Sequence, residues 1–270
     1  MTIFSAAPVL SVVVPAYNEE RRLPTTLTKI LEYLGRQSYA AELIVADDGS
    51  SDETAALVER MMPAHPSLRL LRLDHRGKGY AVRAGALAAK GAFVLLCDAD
   101  LAVPIGEWDR LRAALDSGYD VAIGSREGVG AQRMGEPWHR HVMGRVFNLI
   151  VRAVAVGDIQ DTQCGFKALR RPVAEDLFHR VQIYGENAPR VQGAAVTAYD
   201  VELLFLAVRR GYRVAEVPVP WIYGEETKVS ALRDSWRNLR DVLTVRWYAL
   251  AGRYKNLNAP LATAEEPARK

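Results

Sequence analysis

Cysteine is scarce: the 270-residue chain has two, Cys97 and Cys164. No structural disulfide is expected, and a reducing cytoplasm is the natural compartment. Excess charge of one sign is missing too, with 35 Lys and Arg against 32 Asp and Glu, a net +3. So mild a balance makes no electrostatic case for nucleic acid. No stretch reaches about 18 uninterrupted apolar residues, so no transmembrane helix is expected. VMGRVFNLIVRAVAVG comes closest, and Arg145 and Arg152 break it. The start, MTIFSAAPVL, has neither a basic region nor a long apolar core, so no signal peptide is read there. The two glycine signatures of phosphate binding are also wanting. No G-x-G-x-x-G follows the first apolar run, and RGKG at 76–79 is not spaced as a P-loop. There is no internal repeat.

What is present has an ordinary globular balance, 49% hydrophobic and 25% charged, enough for one large domain with appended elements. Short runs rich in Val, Ile and Leu at 8–15, 41–46, 68–73, 92–97 and 120–125 read as strands. Helical patterns at 21–36, 52–62, 78–90 and 106–117 separate them. Such alternation predicts parallel strands with helices on both faces, and a ligand site beyond the carboxyl ends of the strands. The polar segments PAYNEE, DDGSSDE, DHRGKG, DAD and GSRE all fall at those ends. Beyond residue 126, GVGAQRMG reads as a loop, 138–156 as a helix, and GFKALRR as a strand. Helices are expected in RPVAEDLFHRV and TAYDVELLFLAVRRG, the latter stopping at Gly211. YRVAEVPVPWIY reads as an extended edge segment.

The expected organisation is a catalytic domain over 1–224, split into halves at about 8–126 and 127–224. A basic amphipathic helical segment follows at 225–256, then a disordered tail at 257–270.

In VLLCDADLAVP an apolar strand ends in Asp98 and Asp100, which point to the same side of an extended chain. Two readings explain the pair. Asp is common in turns, and two hard oxygen ligands suit a divalent cation. In the last helix, Val229, Leu232, Trp236, Leu239, Leu243, Trp247 and Leu250 recur at helical spacing among Arg233, Arg237, Arg240, Arg246 and Arg253. Such a helix either packs on the domain or lies in a membrane interface. The latter predicts a peripheral protein at the inner face of the membrane, with a homo-oligomer as added attachment. Its aromatics are not arranged as stacking platforms for nucleic acid.

VVVPAYNEE, IVADDGSSDET, GKGYAVRAG, CDADL and AIGSR resemble, in content and order, the family 2 inverting glycosyltransferases. DTQCGFKAL, YDVELLFLAVRRGYRVAEVPV and TKVSALRDSWRNLRDVLTVRWY are similar to the polyprenyl (dolichyl) phosphate β-glucosyltransferases, relatives of the dolichyl phosphate mannose synthases. The likeness runs over about residues 8–255. It implies an α/β fold of the nucleotide-diphospho-sugar transferase (GT-A) type, with a mostly parallel central sheet and helices on both faces. It implies transfer of glucose from UDP-glucose to a polyprenyl phosphate. The alternatives are GDP-mannose as donor, or a non-lipid acceptor served by a base near Asp161 or Asp200.

The resemblance also implies roles. Asp98 and Asp100 would hold Mg²⁺ or Mn²⁺ with Ala99 between them, Asp100 being the more direct ligand. Ala102 stands where the mannose synthases often have Gln, so water would complete that shell. Pro15, Tyr17 and Glu19 would meet the nucleoside, Tyr17 by stacking and Glu19 through ribose hydroxyls. The plain alternative there is a helix start, with Asn18 as cap. Asp48, with Ala46 beneath it, would accept from a base N–H, against a simple Asp-Gly turn. Lys78 and Lys228 would face the donor, while Arg126 and Arg140 would face the acceptor phosphate. Gly144 replaces the serine expected beside Arg140. Asp98, Asp100 and Arg126 form the implied catalytic set. A phosphate monoester is already anionic, so no indispensable base is expected. The roles of Asp161, Gln163 and Asp200 are left open.

Overall fold

The computed structural model describes residues 7–127, 130, 132–134, 151, 157, 159–193, 199–222, 231–254 and 257. Strand β1 (Leu10–Ala16) is LSVVVPA, and all seven residues are buried. A run apolar at every position fits a strand covered on both faces rather than one. β2 (Ala41–Asp47), β3 (Leu68–Arg72), β4 (Phe93–Leu96) and β5 (Val121–Ser125) follow. Between them lie α1 (Leu23–Gly35), α2 (Thr54–Met61), α3 (Lys78–Leu87) and α4 (Trp108–Asp116). The later elements are β6 (Gln132–Met134), β7 (Lys167–Arg170), α5 (Arg171–Arg180) and α6 (Tyr199–Arg209). The last are β8 (Val214–Pro218), β9 (Pro220–Ile222) and α7 (Ala231–Leu250).

The main sheet runs β3-β2-β1-β4-β7-β5-β8. All its pairings are parallel except those of β7, which opposes both neighbours. Successive residues of β1 serve two cores, as the pleat requires. Val12 and Val14 pack with Leu27 and Ile30 of α1, Val58 of α2 and Trp108 of α4. Val13 packs with Val82 of α3, Leu177 of α5, Leu204 of α6 and Val245 of α7. Residues 199–207 of α6 are buried without exception, because neighbouring helices cover it.

Two features of this order position the site. The chain steps from β1 through β2 to β3, then crosses back to place β4 on the far side of β1. That reversal opens a crevice at the carboxyl ends of β1 and β4. Because β7 is antiparallel and Leu96 pairs with Lys167, the residues before β7 arrive at the same rim.

The expected strands and helices of the first half are present, with ends shifted by a few residues. One expectation needs correcting. GVGAQRMG was expected to be loop throughout, yet Gln132–Met134 is a short strand paired in parallel with β9. Three extended residues suffice for this, and so brief a ladder leaves no periodic signature. The helix expected at 138–156 lies outside the described residues apart from Val151, as does the tail beyond Leu257.

Candidate functional site

β4 delivers Asp98 and Asp100 to the crevice. The backbone bears out the turn reading of this pair, and the turn leaves carboxylate oxygens over. Leu101 takes a left-handed backbone (φ 49°), its N–H donating to the Asp98 carbonyl at 3.0 Å. Asp100 Oδ1 accepts the Ala102 N–H at 3.1 Å, closing the turn with one carboxylate oxygen. Ala99 is buried between the two acids, its carbonyl accepting from Thr26 of α1.

Asp98 Oδ1 lies 2.7 Å from Lys78 Nζ, and both side chains stay about one-third exposed (33% and 34%). Lys78 opens α3 directly after Gly77, whose φ of 96° no ordinary side chain adopts easily. Burial pushes the Lys78 amine down, but Asp98, Asp200 and Asp100 outweigh it and hold it above the usual lysine value. Burial likewise raises Asp98, and the charges of Lys78, Lys167 and Arg126 reverse that to leave it below the usual carboxylate range. Asp100 goes the other way, lifted first by desolvation and then by the charge of Asp98. Two acids driven apart in this manner form a site that a further cation would relieve.

The donor set fits a hard divalent ion. It consists of two carboxylates on one side of a strand end, Asp100 at the exposed rim, with oxygens the turn does not consume. Among the described residues no third His, Cys, Asp or Glu joins them, so water and ligand oxygens would complete the shell.

Behind the pair lies a scaffold that sequence reasoning did not identify. A Cβ on Gly165 would overlap the Asp98 carboxylate, so a larger residue there would displace that side chain. The fully buried Lys167 donates to Asp200 Oδ1 and to the Cys164 carbonyl. The Tyr199 ring faces Lys78 Nζ at 5.7 Å. Gly165 and Lys167 lie in the DTQCGFKAL motif, which was the available signal. Their function rests on the β4–β7 register, which no local pattern reveals.

Arg126, at the end of β5, donates through Nε and Nη2 to Asp161 at 2.7 and 2.8 Å, and through its backbone N–H at 2.9 Å. Its guanidinium lies 5.4 Å from the centre of the Trp221 ring. Asp161 is fully buried and also accepts the Gln163 N–H. Burial raises this acid, but Arg126 overrides it and holds the carboxyl at about 2.

At the nucleoside end, Pro15 and Ala46 are register partners on β1 and β2. Both are buried, and the Ala46 methyl faces α3 rather than the crevice, within 3.5 Å of where a Gly85 Cβ would lie. Tyr17 stacks flat on His75, centroids 3.8 Å apart. Asp48 is buried and accepts from His75 Nδ1 and from the backbone N–H groups of Arg76 and Gly77. Glu19 forms an ion pair with Arg22 at 2.7 Å, and its N–H is held by Thr54 Oγ1. Asn18 does not cap α1. It takes a left-handed backbone, and its Oδ1 accepts the Ser51 N–H. Strand spacing separates the ends of β2 and β4 by roughly 10 Å.

The structure thus gathers Asp98, Ala99, Asp100, Lys78 and Arg126 around one crevice, with Tyr17, Glu19 and Asp48 on its β1–β2 side. Arg140 and Lys228 lie outside the described residues.

The family model "Glycosyl transferase family 2" matches residues 11–178. A dolichyl-phosphate beta-glucosyltransferase of Dictyostelium discoideum is 33% identical over 260 residues, covering 91% of this chain and 76% of that protein. Its Drosophila melanogaster counterpart is 35% identical, covering 88% of this chain and 74% of its own. Among solved structures, a Pyrobaculum calidifontis mannosyltransferase in complex with GDP-Man and Mn²⁺ aligns with a TM-score of 0.57 at 21% identity. That alignment covers 92% of this chain and 65% of the other. Glucosyl-3-phosphoglycerate synthase of Mycobacterium tuberculosis, solved with Mn²⁺, UDP and product, aligns at 0.60 and 18% identity, covering 89% and 80%. These structural likenesses establish the GT-A fold.

Proposed function

The chain belongs to glycosyl transferase family 2, and on that premise we propose that it transfers glucose, with inversion, from UDP-glucose to a polyprenyl phosphate of the dolichyl kind. The carrying observation is the Asp98–Asp100 pair beside Lys78 at the strand-order reversal, in a crevice whose other acids are already committed. Asp161 accepts four hydrogen bonds and is held at about 2, which leaves it no basicity at neutral pH. Asp200 is tied to the buried Lys167. A sugar hydroxyl would need a base from this set. A phosphate monoester needs none, because its oxygen is already anionic near pH 7.

In this reading Asp98 and Asp100 would hold Mg²⁺ or Mn²⁺, which when bound neutralises charge on the departing nucleoside diphosphate. Lys78 adds a second positive charge on the same side. Tyr17, Glu19 and Asp48 receive the nucleoside. Arg126, oriented by Asp161, faces the acceptor phosphate, the attacking oxygen entering opposite the leaving group.

Labelled transfer to a polyprenyl phosphate, run with UDP-glucose and with GDP-mannose, tests this directly. Mn²⁺-dependent labelling of the lipid from UDP-glucose is the expected result. Labelling from GDP-mannose alone would replace the sugar assignment. Label passed only to a soluble hydroxyl acceptor would remove the lipid.

A polyprenyl acceptor requires the chain to reach a membrane, and no helix among the described residues is long and apolar enough to cross one. α7 offers a route. Asn238, Asp241, Val242 and Val245 face the protein, but Leu243, Trp247 and Leu250 are 54%, 53% and 76% exposed. The packing explanation therefore holds for one face only. Arg240 and Arg246 are exposed beside the stripe, and Arg253 lies 4.6 Å from the Trp247 ring. Apolar groups that enter the acyl boundary beneath a cationic band bind anionic bilayers. Replacing Leu243 and Trp247 with Asp is expected to lower flotation with anionic liposomes by at least about tenfold, with melting temperature unchanged. The same residues Val229, Leu232 and Trp236 that were read into this stripe have side chains outside the described residues.

A further inference from the structure

We propose that His75 sets the base selectivity of the donor site, favouring uracil over guanine by occupying space and an acceptor position that guanine would need. The inference rests on the donor reading above, in which Tyr17 and Asp48 receive the nucleobase. His75 follows β3 and reaches across β2 to the Tyr17 ring, lying parallel to it within 2°. It is held at both ends of the imidazole. Nδ1 is 2.8 Å from Asp48 Oδ2, and Nε2 is 3.0 Å from the Gly193 carbonyl oxygen.

Asp48 meanwhile takes the Gly77 N–H at 2.8 Å on the same oxygen and the Arg76 N–H at 2.9 Å on the other. An ionised carboxylate has about four acceptor positions. Three are engaged among the described residues, which leaves about one, on Oδ1. Uracil presents a single ring N–H between two carbonyls. Guanine presents a ring N–H and an amino group side by side, a pair that calls on both oxygens of a carboxylate. One remaining acceptor therefore matches uracil and strands one guanine donor. Space points the same way. The imidazole already covers one face of Tyr17, so a base reaching Asp48 must enter beside it, where one ring needs less room than two.

Titration of the full chain with UDP and with GDP, each with Mn²⁺, tests the assignment. The unsubstituted protein is expected to bind UDP at least about tenfold more tightly than GDP. His75→Ala should shrink that ratio about tenfold, chiefly by strengthening GDP. His75→Asn, whose amide can donate to Asp48 in place of Nδ1 while clearing the ring, should restore part of the preference. It also serves if the alanine variant does not fold. An unchanged UDP-to-GDP ratio in both variants overturns the proposal and leaves the donor reading standing. So does an equal loss of both nucleotides. If the unsubstituted chain binds neither nucleotide, the donor site itself is misassigned and the proposal falls with it.

Discussion

Asp100→Ala is expected to cut turnover by about a thousandfold or more and to leave the melting temperature within a degree or two. The separation of the two effects follows from where the side chain sits. Asp100 is exposed at the rim, and its described hydrogen bond is the one that closes the turn to Ala102. Losing one exposed turn bond costs about 1 kcal/mol at most. Asp98→Ala should match it in turnover but not in stability. It removes the partner of Lys78 and opens a gap against Gly165. Asp100→Asn sharpens the comparison, because the amide oxygen keeps the turn while the negative charge is gone. Steady-state transfer assays beside thermal melts in each variant give the answer. Full turnover in the Asp98→Ala, Asp100→Ala double variant would end the case for a cation-assisted departure at this rim.

The first half of the fold was legible because buried parallel strands cannot hide. Seven consecutive buried positions in LSVVVPA leave no helix-like spacing, and the acids at the strand ends mark the sheet edge. β7 was legible as a strand, but its place between β4 and β5 was not, since register belongs to partners far along the chain. That is why Gly165 went unread, although a side chain there would displace the Asp98 carboxylate. His75 was missed for the same reason. It meets Asp48 at a separation of 27 residues and Gly193 at 118, and a lone His in DHRGKG carries no local signature. The α7 stripe was visible as periodicity, yet periodicity cannot say which face packs. Val242 and Val245, which were not in the stripe, form the packed face. Arg126 illustrates a different limit. A phosphate ligand and the buried partner of an acid look the same in sequence, and only Asp161 beside it reveals that the arginine is already anchored.

That anchoring leads to the largest expected effect on stability. Arg126→Ala strips the fully buried Asp161 of both guanidinium bonds, and a buried pair broken from one side costs about 3–5 kcal/mol. For a chain of this size the melting temperature should fall by roughly 10 °C. The acid limb of stability should move as well. Asp161 titrates near 2 in the fold, below its ordinary 3.8, so its contribution is present above about 3.8 and lost as pH falls towards 2. Without Arg126, burial pushes the Asp161 carboxyl back up, so this acid-linked loss should shrink or reverse.

Stability alone does not separate a structural arginine from one that also meets the acceptor, because either would melt early. The double variant Arg126→Met, Asp161→Leu does separate them. Removing both charges together replaces an ion pair by apolar side chains of similar bulk, which is often neutral in free energy. Melting temperature should therefore recover in part, the remaining deficit coming from the Arg126 and Gln163 backbone N–H groups that lose their acceptor. Turnover should not, if the guanidinium that Asp161 orients is also the group that meets the acceptor phosphate. A double variant that regains this stability and transfers sugar at the full rate would reduce Arg126 to a clamp on the 159–166 segment. The acceptor phosphate would then have to be met by other cations, Arg140 first among them.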